Sequence, residues 1–324
     1  MINPVYRIVL TENCNLSCPH CFNSKDRECG VMDADILIRF INENSTKLNS
    51  STIKIMGGEP TLHARVVDII TEASKYFFRV ELFTNGTNME KIVNNSILTK
   101  RNFQGILNYT INGFTFNINE FSTYKDYINF IVLHFVVPLN NPEKMVKKLE
   151  KCMELSPQVY FLISPDTQVD LFNDSELNSY RLVWVETVTK IIPQLSDRNL
   201  PYGFDHKLPI CFYTQEMLDI FHKFNIDTIH QETTTCCGDQ QIGLIDYKFD
   251  IYYCNQTKIK LGSLLDINGN PITAEELTEM IQSGSKIKTE QIKKISDKCM
   301  ECQALPSCKV GCYYNTLKNR EINK

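Results

Sequence analysis

Three cysteines, Cys14, Cys18 and Cys21, follow one another in a CxxxCxxC spacing. They come directly after an apolar run, Val5-Tyr6-Arg7-Ile8-Val9-Leu10, that reads as a strand. Three thiolates on one short loop can hold three corners of a cubane [4Fe–4S] cluster. A structural zinc site takes four protein ligands, so three would leave it incomplete. A fourth iron left open is free to bind a substrate or cofactor. The plainer alternatives are a zinc knuckle completed by a distant residue, or three unrelated buried thiols.

A second concentration lies at the other end. Of thirteen cysteines, seven fall from Cys236 onward, and only Cys29, Cys152 and Cys211 stand outside the two groups. Thiols used merely as small core residues would be spread more evenly. Cys299, Cys302, Cys308 and Cys312 form a CxxCx5CxxxC run, and Cys236, Cys237 and Cys254 precede it. The plainer alternative for this tail is a zinc ribbon of two CxxC-like halves. Cys211, in Leu208-Pro209-Ile210-Cys211-Phe212, has three readings: a cluster ligand, a thiol that donates a hydrogen atom, or a buried small hydrophobe. Cys152 is in register with Met145 and Leu149 on an amphipathic helix and reads as core, while Cys29 reads as incidental. The histidines, His63 and His134 among them, show no metal-ligand pairing.

The elements that must position these groups alternate strand and helix, the pattern of parallel βα units. Strands are expected at Val5–Leu10, Thr52–Met56, Val80–Thr84, Gly105–Ile111, Ile131–Leu139 and Val159–Ile163. Between them, Asp33 caps a helix carrying Ile36, Leu37, Phe40 and Ile41, and a second helix runs over about 62–76. Further helices are expected from Pro142 through Met153, over about 175–192, and near 215–224. Six units imply a partial (βα)6 barrel of TIM type, followed by a small cysteine-rich domain at the C-terminus. The expected boundaries are 1–196 for the barrel, 197–235 for a connector and 236–324 for the tail domain.

In such barrels the chemistry sits at the C-terminal ends of the strands. The first strand ends in the three cysteines, and the second in Gly57-Gly58-Glu59-Pro60, whose paired glycines let the backbone approach a ligand closely. A carboxylate there could accept from an ammonium group. The third ends in Thr84-Asn85-Gly86 and the fourth in Thr110-Ile111-Asn112-Gly113, short polar side chains suited to sugar hydroxyls. Any one of these ends alone would be a simple turn; four on one rim suggest a site.

Bulk properties narrow the field. The net charge of −4 argues against nucleic acid and against an anionic membrane surface as partners. No apolar run approaches the roughly 20 residues of a membrane-spanning helix, and no secretory signal precedes the first strand. Thirteen cysteines without an export signal read as reduced thiols or metal ligands in a cytoplasmic protein.

With CxxxCxxC after the first strand and GGEP after the second, residues 5–195 resemble the radical SAM superfamily. The resemblance implies that Cys14, Cys18 and Cys21 hold a [4Fe–4S] cluster whose open iron chelates S-adenosylmethionine (SAM). Reductive cleavage would then give a 5′-deoxyadenosyl radical that abstracts hydrogen from a substrate. By the same resemblance His20 lies by the adenine, Gly57, Gly58 and Glu59 meet the methionine amino group, and Thr110 meets the ribose. Thr84, Asn85 and Asn112 complete the expected cofactor pocket. The arginine that relatives often carry for the SAM carboxylate is missing from 114–124, where Lys125 is the nearest substitute.

The tail resembles the SPASM extension of radical SAM enzymes that modify peptides and proteins. That implies one or two auxiliary [4Fe–4S] clusters drawing on Cys236 or Cys237, Cys254, Cys299, Cys302, Cys308 and Cys312. The match departs from the pattern in two ways: Phe249 stands where a glycine is usual, and no cysteine follows Cys312. Cys211 is one candidate to complete a set.

The function expected is a SAM-dependent maturase that cross-links, oxidises or epimerises a peptide or protein. For epimerisation Cys211 would serve as the catalytic hydrogen donor. A radical SAM dehydrogenase for a small molecule is the alternative, and a non-catalytic iron–sulfur electron carrier or redox sensor the second. The expected partners are the peptide substrate and an external electron donor of flavodoxin or ferredoxin type. Because the barrel begins at residue 5, no peptide-binding winged helix is expected ahead of it, and a leader peptide would be held by a separate protein.

Overall fold

The computed structural model describes residues 5–17, 29–88, 90–93, 103–110, 130–138, 142–153, 159–166, 169, 174–204, 208, 210–226, 242–253, 259–292, 301 and 303. In chain order the elements begin with β1 (Val5–Val9), α1 (Ala34–Glu43), α2 (Ser45–Leu48), β2 (Thr52–Met56), a 3-10 turn (Pro60–Leu62) and α3 (Val66–Tyr76). Then come β3 (Arg79–Thr84), α4 (Glu90–Val93), β4 (Phe103–Thr110), β5 (Phe130–Val137), α5 (Pro142–Cys152), β6 (Val159–Pro165) and α6 (Asp174–Asp197). The rest are β7 (Tyr202–Phe204), a 3-10 turn (Ile210–Phe212), α7 (Gln215–Lys223), β8 (Ile242–Ile245), β9 (Asp250–Tyr252), β10 (Lys260–Ser263) and α8 (Ala274–Ile292). This is a mixed α/β fold with parallel strands, which fits the expected partial barrel. No helix among the described residues is long and apolar enough to cross a membrane.

Contacts divide the chain into two compact units. The first draws its described parts mainly from residues 1–108 and 237–287, with strand order β10-β9-β8-β1-β2-β3-β4. β1 pairs in parallel with β2, β2 with β3 and β3 with β4, in the registers Val5↔Thr52, Thr52↔Arg79 and Val80↔Phe103. On the other side of β1 lies β8, also parallel, in register Val5↔Ile242. The unit therefore combines residues from both the expected barrel and the expected tail domain.

Its core is built from alternation along the strands and helical spacing along the helices. Ile8, Ile53, Ile55, Val80 and Leu82 are buried from the sheet, and Leu37, Phe40, Ile41, Ile69, Ile70 and Ala73 from α1 and α3. Asp33 caps α1 as expected, its Oδ1 accepting from the Asp35 and Ile36 amides at 2.8 and 3.4 Å. At the far end, buried Asn44 donates to the Phe40 carbonyl at 2.9 Å and accepts from the Ala274 amide at 2.7 Å. One side chain thus closes α1 and opens α8.

The hairpin β8–β9 is antiparallel, with Leu244↔Tyr252 and Ile245↔Ile251. Phe249 in its turn has φ +66°, a conformation natural to glycine and costing other residues roughly 1–2 kcal/mol. The Phe249 side chain is buried, an apolar contribution that offsets this cost. Asp246 holds the turn, its Oδ1 accepting from the Lys248 and Asp250 amides at 2.9 Å each. Burial raises the Asp246 carboxyl above its ordinary value, and burial together with the charges of Asp246 and Asp250 pushes the Tyr252 phenol up to about 12.

A raised folded-state carboxylate pKa contributes stability that is fully present below the unfolded value and lost as pH rises through the folded one. Asp246→Asn removes that dependence. The melting temperature of the variant minus that of the wild type is expected to rise between mildly acid and neutral pH. A flat difference would contradict it.

The second unit takes its described parts mainly from residues 132–236, with strands ordered β5-β6-β7 and β6 parallel to β7, Phe161↔Tyr202. β7 falls in the stretch expected to be a connector. α6 runs past Ile192, the expected end, through Pro193 to Asp197; buried Ile191, Ile192 and Leu195 continue its apolar face across the proline. Buried Tyr180 donates to the Val137 carbonyl at 2.9 Å and accepts from the Asp166 amide at 2.6 Å. Burial raises its phenol well above the ordinary value. Beside it, the Arg181 guanidinium spans the second 3-10 turn, donating to the carbonyls of Phe212 at 2.7 Å and Cys211 at 2.6 Å. The Cys211 side chain is exposed, so it is not a core residue.

Candidate active site at the ends of the first three strands

The residues that flank the cysteine loop pair with one another at its base. Thr11 bridges to Val31, its hydroxyl donates to the Gly30 carbonyl at 2.8 Å, and the Glu12 amide donates to the same carbonyl at 3.1 Å. The Met32 amide donates to the Leu10 carbonyl at 2.8 Å, so the loop is closed at its base by backbone pairing.

The Gly-Gly-Glu end of β2 is pressed against this loop. The Gly58 amide donates to the Thr11 carbonyl and the Glu59 amide to the Asn13 carbonyl, each at 2.8 Å. A Cβ on Gly57 would stand 2.3 Å from the Thr11 oxygen, and one on Gly58 2.3 Å from the Asn13 oxygen. Both obstacles are backbone, which cannot rotate away. Paired glycines are needed here for chain to lie on chain.

Glu59 is fully buried and acts as a bracket. Its Oε1 accepts from the Thr61 amide at 3.0 Å, the Thr61 hydroxyl at 2.6 Å and the Thr84 hydroxyl at 2.7 Å. Its Oε2 accepts from the Asn85 amide at 2.7 Å. The carboxyl group thus accepts four hydrogen bonds, which tie the ends of β2 and β3 together. The side chain expected to wait for an ammonium group spends most of its acceptor capacity on the protein. The same turn explains why α3, expected from about 62, starts at Val66. Buried His63 accepts at Nδ1 from the Arg65 amide at 3.1 Å, so its Nε2 carries the proton donated to the Met32 carbonyl at 2.9 Å.

From β3 a polar loop reaches the first cysteine. Asn85 Nδ2 donates to Asn15 Oδ1 at 3.0 Å and to Cys14 Sγ at 3.8 Å, and the Leu16 amide donates to the same sulfur at 3.4 Å. Asn85 Oδ1 in turn accepts from the amide and hydroxyl of Thr87, at 3.0 and 2.7 Å, and Asn15 Nδ2 donates to Thr87 Oγ1 at 2.7 Å. Cys14 is half-buried with two N–H groups aimed at its sulfur, the surroundings of a thiolate ligand. These residues fit one corner of an iron–sulfur cluster.

Of the residues singled out in sequence, the structure brings Cys14, Gly57, Gly58, Glu59, Thr84 and Asn85 into one connected network. Thr110 is the last residue of β4. Cys18, His20, Cys21, Asn112, Cys236, Cys237, Cys254, Cys299, Cys302, Cys308 and Cys312 lie outside the described residues. Asn15, Thr61 and Thr87 belong to the network too and were not anticipated. Asn15 meets Thr87 and Asn85 across some 70 residues of sequence, while Thr61 binds Glu59 and Thr87 binds Asn85 only two residues away; nearness to the Cys14, Gly57-Gly58-Glu59 and Thr84-Asn85-Gly86 stretches is the one signal that could have drawn attention to them.

Residues 8–167 match the sequence profile of the radical SAM superfamily. That match supports radical SAM membership. The segment runs from β1 to just past β6 and so contains the whole cysteine-loop network.

Solved structures share the fold over nearly the whole chain. Streptococcus suis SuiB, bound to S-adenosylmethionine, superposes with a TM-score of 0.61 at 16% identity, covering 98% of this chain and 75% of that one. Native anSMEcpe, with bound AdoMet and the Cp18Cys peptide, gives 0.62 at 16%, covering 98% and 95%.

Curated relatives match over shorter stretches. The tungsten-containing aldehyde ferredoxin oxidoreductase cofactor-modifying protein of Pyrococcus furiosus is 35% identical over 24% of this chain and 22% of its own length. The probable GTP 3′,8-cyclase of Pyrococcus horikoshii is 34% identical over 26% and 27%. The chain thus spans about a quarter of the length of these two relatives. The 7-carboxy-7-deazaguanine synthase of Clostridium acetobutylicum is 27% identical over 52% of this chain and 79% of its own.

Proposed function

We propose that this chain is a radical SAM maturase that abstracts hydrogen from a peptide or protein substrate, with Cys14, Cys18 and Cys21 as ligands of the [4Fe–4S] cluster. The observation that carries the reading is the half-buried Cys14 sulfur held by two N–H donors inside the bracket of strand ends. When bound, the cluster supplies the electron for cleavage of SAM. Gly57 and Gly58 keep side chains out of the space where β2 meets the cysteine loop, and the backbone of Gly57–Glu59 is the proposed neighbour of the methionine amino group. His20, Thr110 and Asn112 are the proposed contacts to adenine and ribose.

For a peptide substrate the support is the fold shared over 98% of the chain with anSMEcpe, which was solved with a peptide. The tail cysteines from Cys236 to Cys312 are the proposed ligands of auxiliary clusters. Cys211, exposed and with its carbonyl fixed by Arg181, is the proposed further ligand or hydrogen donor. An electron donor of flavodoxin or ferredoxin type and a separate leader-binding protein are the proposed partners. A small-molecule substrate is the second reading, favoured by the match to the 7-carboxy-7-deazaguanine synthase over half of the chain.

The experiment that separates them is coexpression with short peptides encoded beside the gene, followed by mass spectrometry in deuterated water. Loss of two hydrogens indicates oxidation or cross-linking. Gain of one deuteron at carbon indicates epimerisation, which Cys211→Ala should then abolish if this thiol is the donor. Unmodified peptides beside an active enzyme would favour the small-molecule reading.

A further inference from the structure

Among the described residues, Asn85 links the Glu59 bracket to the cysteine sulfur. Its backbone amide is fixed on Glu59 Oε2 at 2.7 Å, which sets where the side chain starts. The orientation of its carboxamide follows from chemistry. A backbone N–H can only donate, and the Thr87 amide points at one terminal atom of Asn85 at 3.0 Å, so that atom is the oxygen. The atom 3.8 Å from Cys14 Sγ is therefore the nitrogen. Its two hydrogens have two acceptors, Asn15 Oδ1 and the sulfur. Asn15 closes the ring by donating to Thr87 Oγ1, so the amide is held from three sides.

An N–H directed at a ligand sulfur stabilises extra negative charge there. Adding an electron to an iron–sulfur cluster increases the charge on its sulfurs, so such a donor favours the reduced form and raises the potential. We propose that Asn85 is a positioning residue that sets the reduction potential of the cluster ligated by Cys14, an inference that rests on the radical SAM reading above. Thr87 and Asn15 hold it in place, and the Leu16 amide provides a second donor to the sulfur.

The test is an EPR-monitored redox titration of the full chain after anaerobic iron–sulfur reconstitution. The signal lost in Cys14→Ala identifies the cluster to be titrated. Asn85→Asp keeps the shape and the acceptor for Thr87 but turns an anionic oxygen toward the sulfur, and should shift the potential downward. Asn85→Ala should shift it in the same direction by less. Thr87→Val, which leaves the Thr87 backbone donor in place, should shift it least. Unchanged potentials in the first two variants with iron content intact would overturn the proposal. So would loss of the signal in both, since Asn85 would then be required to hold the cluster. A wild-type chain that takes up no cluster at Cys14 would instead overturn the reading beneath it.

Discussion

Replacing Gly58 by alanine is expected to detach the cysteine loop from the end of β2. The new methyl group would lie 2.3 Å from the Asn13 oxygen and 2.6 Å from both the Asn13 carbonyl carbon and the Glu12 oxygen. All three are backbone atoms, so relief requires that the strands separate. Separation breaks the bonds from the Gly58 amide to Thr11 and from the Glu59 amide to Asn13. Overpacking of this kind costs about 1–3 kcal/mol, and each lost hydrogen bond adds about 0.5–1.5 kcal/mol. Denaturant unfolding should report the loss as a lower midpoint. Iron retained per chain after reconstitution and desalting should fall with it. A variant with wild-type midpoint and iron content would mean that the loop is not held by this contact.

Glu59→Gln is expected to damage the same site by a different route. The amide oxygen can replace Oε1 and keep the three donors from Thr61 and Thr84, but its NH2 group then meets the Asn85 amide. Two donors facing one another in a buried place leave both unsatisfied, a cost of about 1–3 kcal/mol. Because Asn85 is anchored by that amide, its grip on Cys14 and Asn15 should loosen as well. The measurement is thermal stability together with iron content. Both should fall, whereas a carboxylate serving only to bind SAM would leave the stability of the SAM-free protein unchanged. Alanine at the same position adds a cavity, so glutamine is the cleaner comparison.

Much of the first unit was legible because its signals are local. β1 and β2 begin and end within a residue of expectation, since alternating apolar residues stop at polar or glycine-rich ends. The cap at Asp33 was legible for the same reason: an acceptor sits beside the free amides of the first turn. Other features escaped. β7 is only Tyr202–Phe204, too short to show an alternation, and its flanking prolines suggested a connector. The partner of β8 is β1, more than two hundred residues away, and no local pattern announces that pairing. The helix expected from about 62 begins at Val66 because His63 bonds Met32, a tertiary contact that overrides helical spacing.

The site was legible in its residue types and not in its wiring. The cysteines, the paired glycines and Glu59 stood out by spacing and chemistry. That Glu59 would bind strand ends together, and that Asn85 would face a sulfur, depends on which strand ends meet. Polar residues such as Asn15 and Thr87 carry no periodic signal, so only geometry reveals them. Phe249 is the converse case: the departure from glycine was plain in sequence, and the structure supplies its meaning in a left-handed turn closed by a buried ring.

The most direct trial of the whole reading is to incubate the anaerobically reconstituted chain with dithionite and SAM and to quantify 5′-deoxyadenosine. The wild type should release it, and Cys14→Ala should not. A chain that carries its cluster and binds SAM yet releases no 5′-deoxyadenosine would contradict the assignment, as would release undiminished by the loss of Cys14.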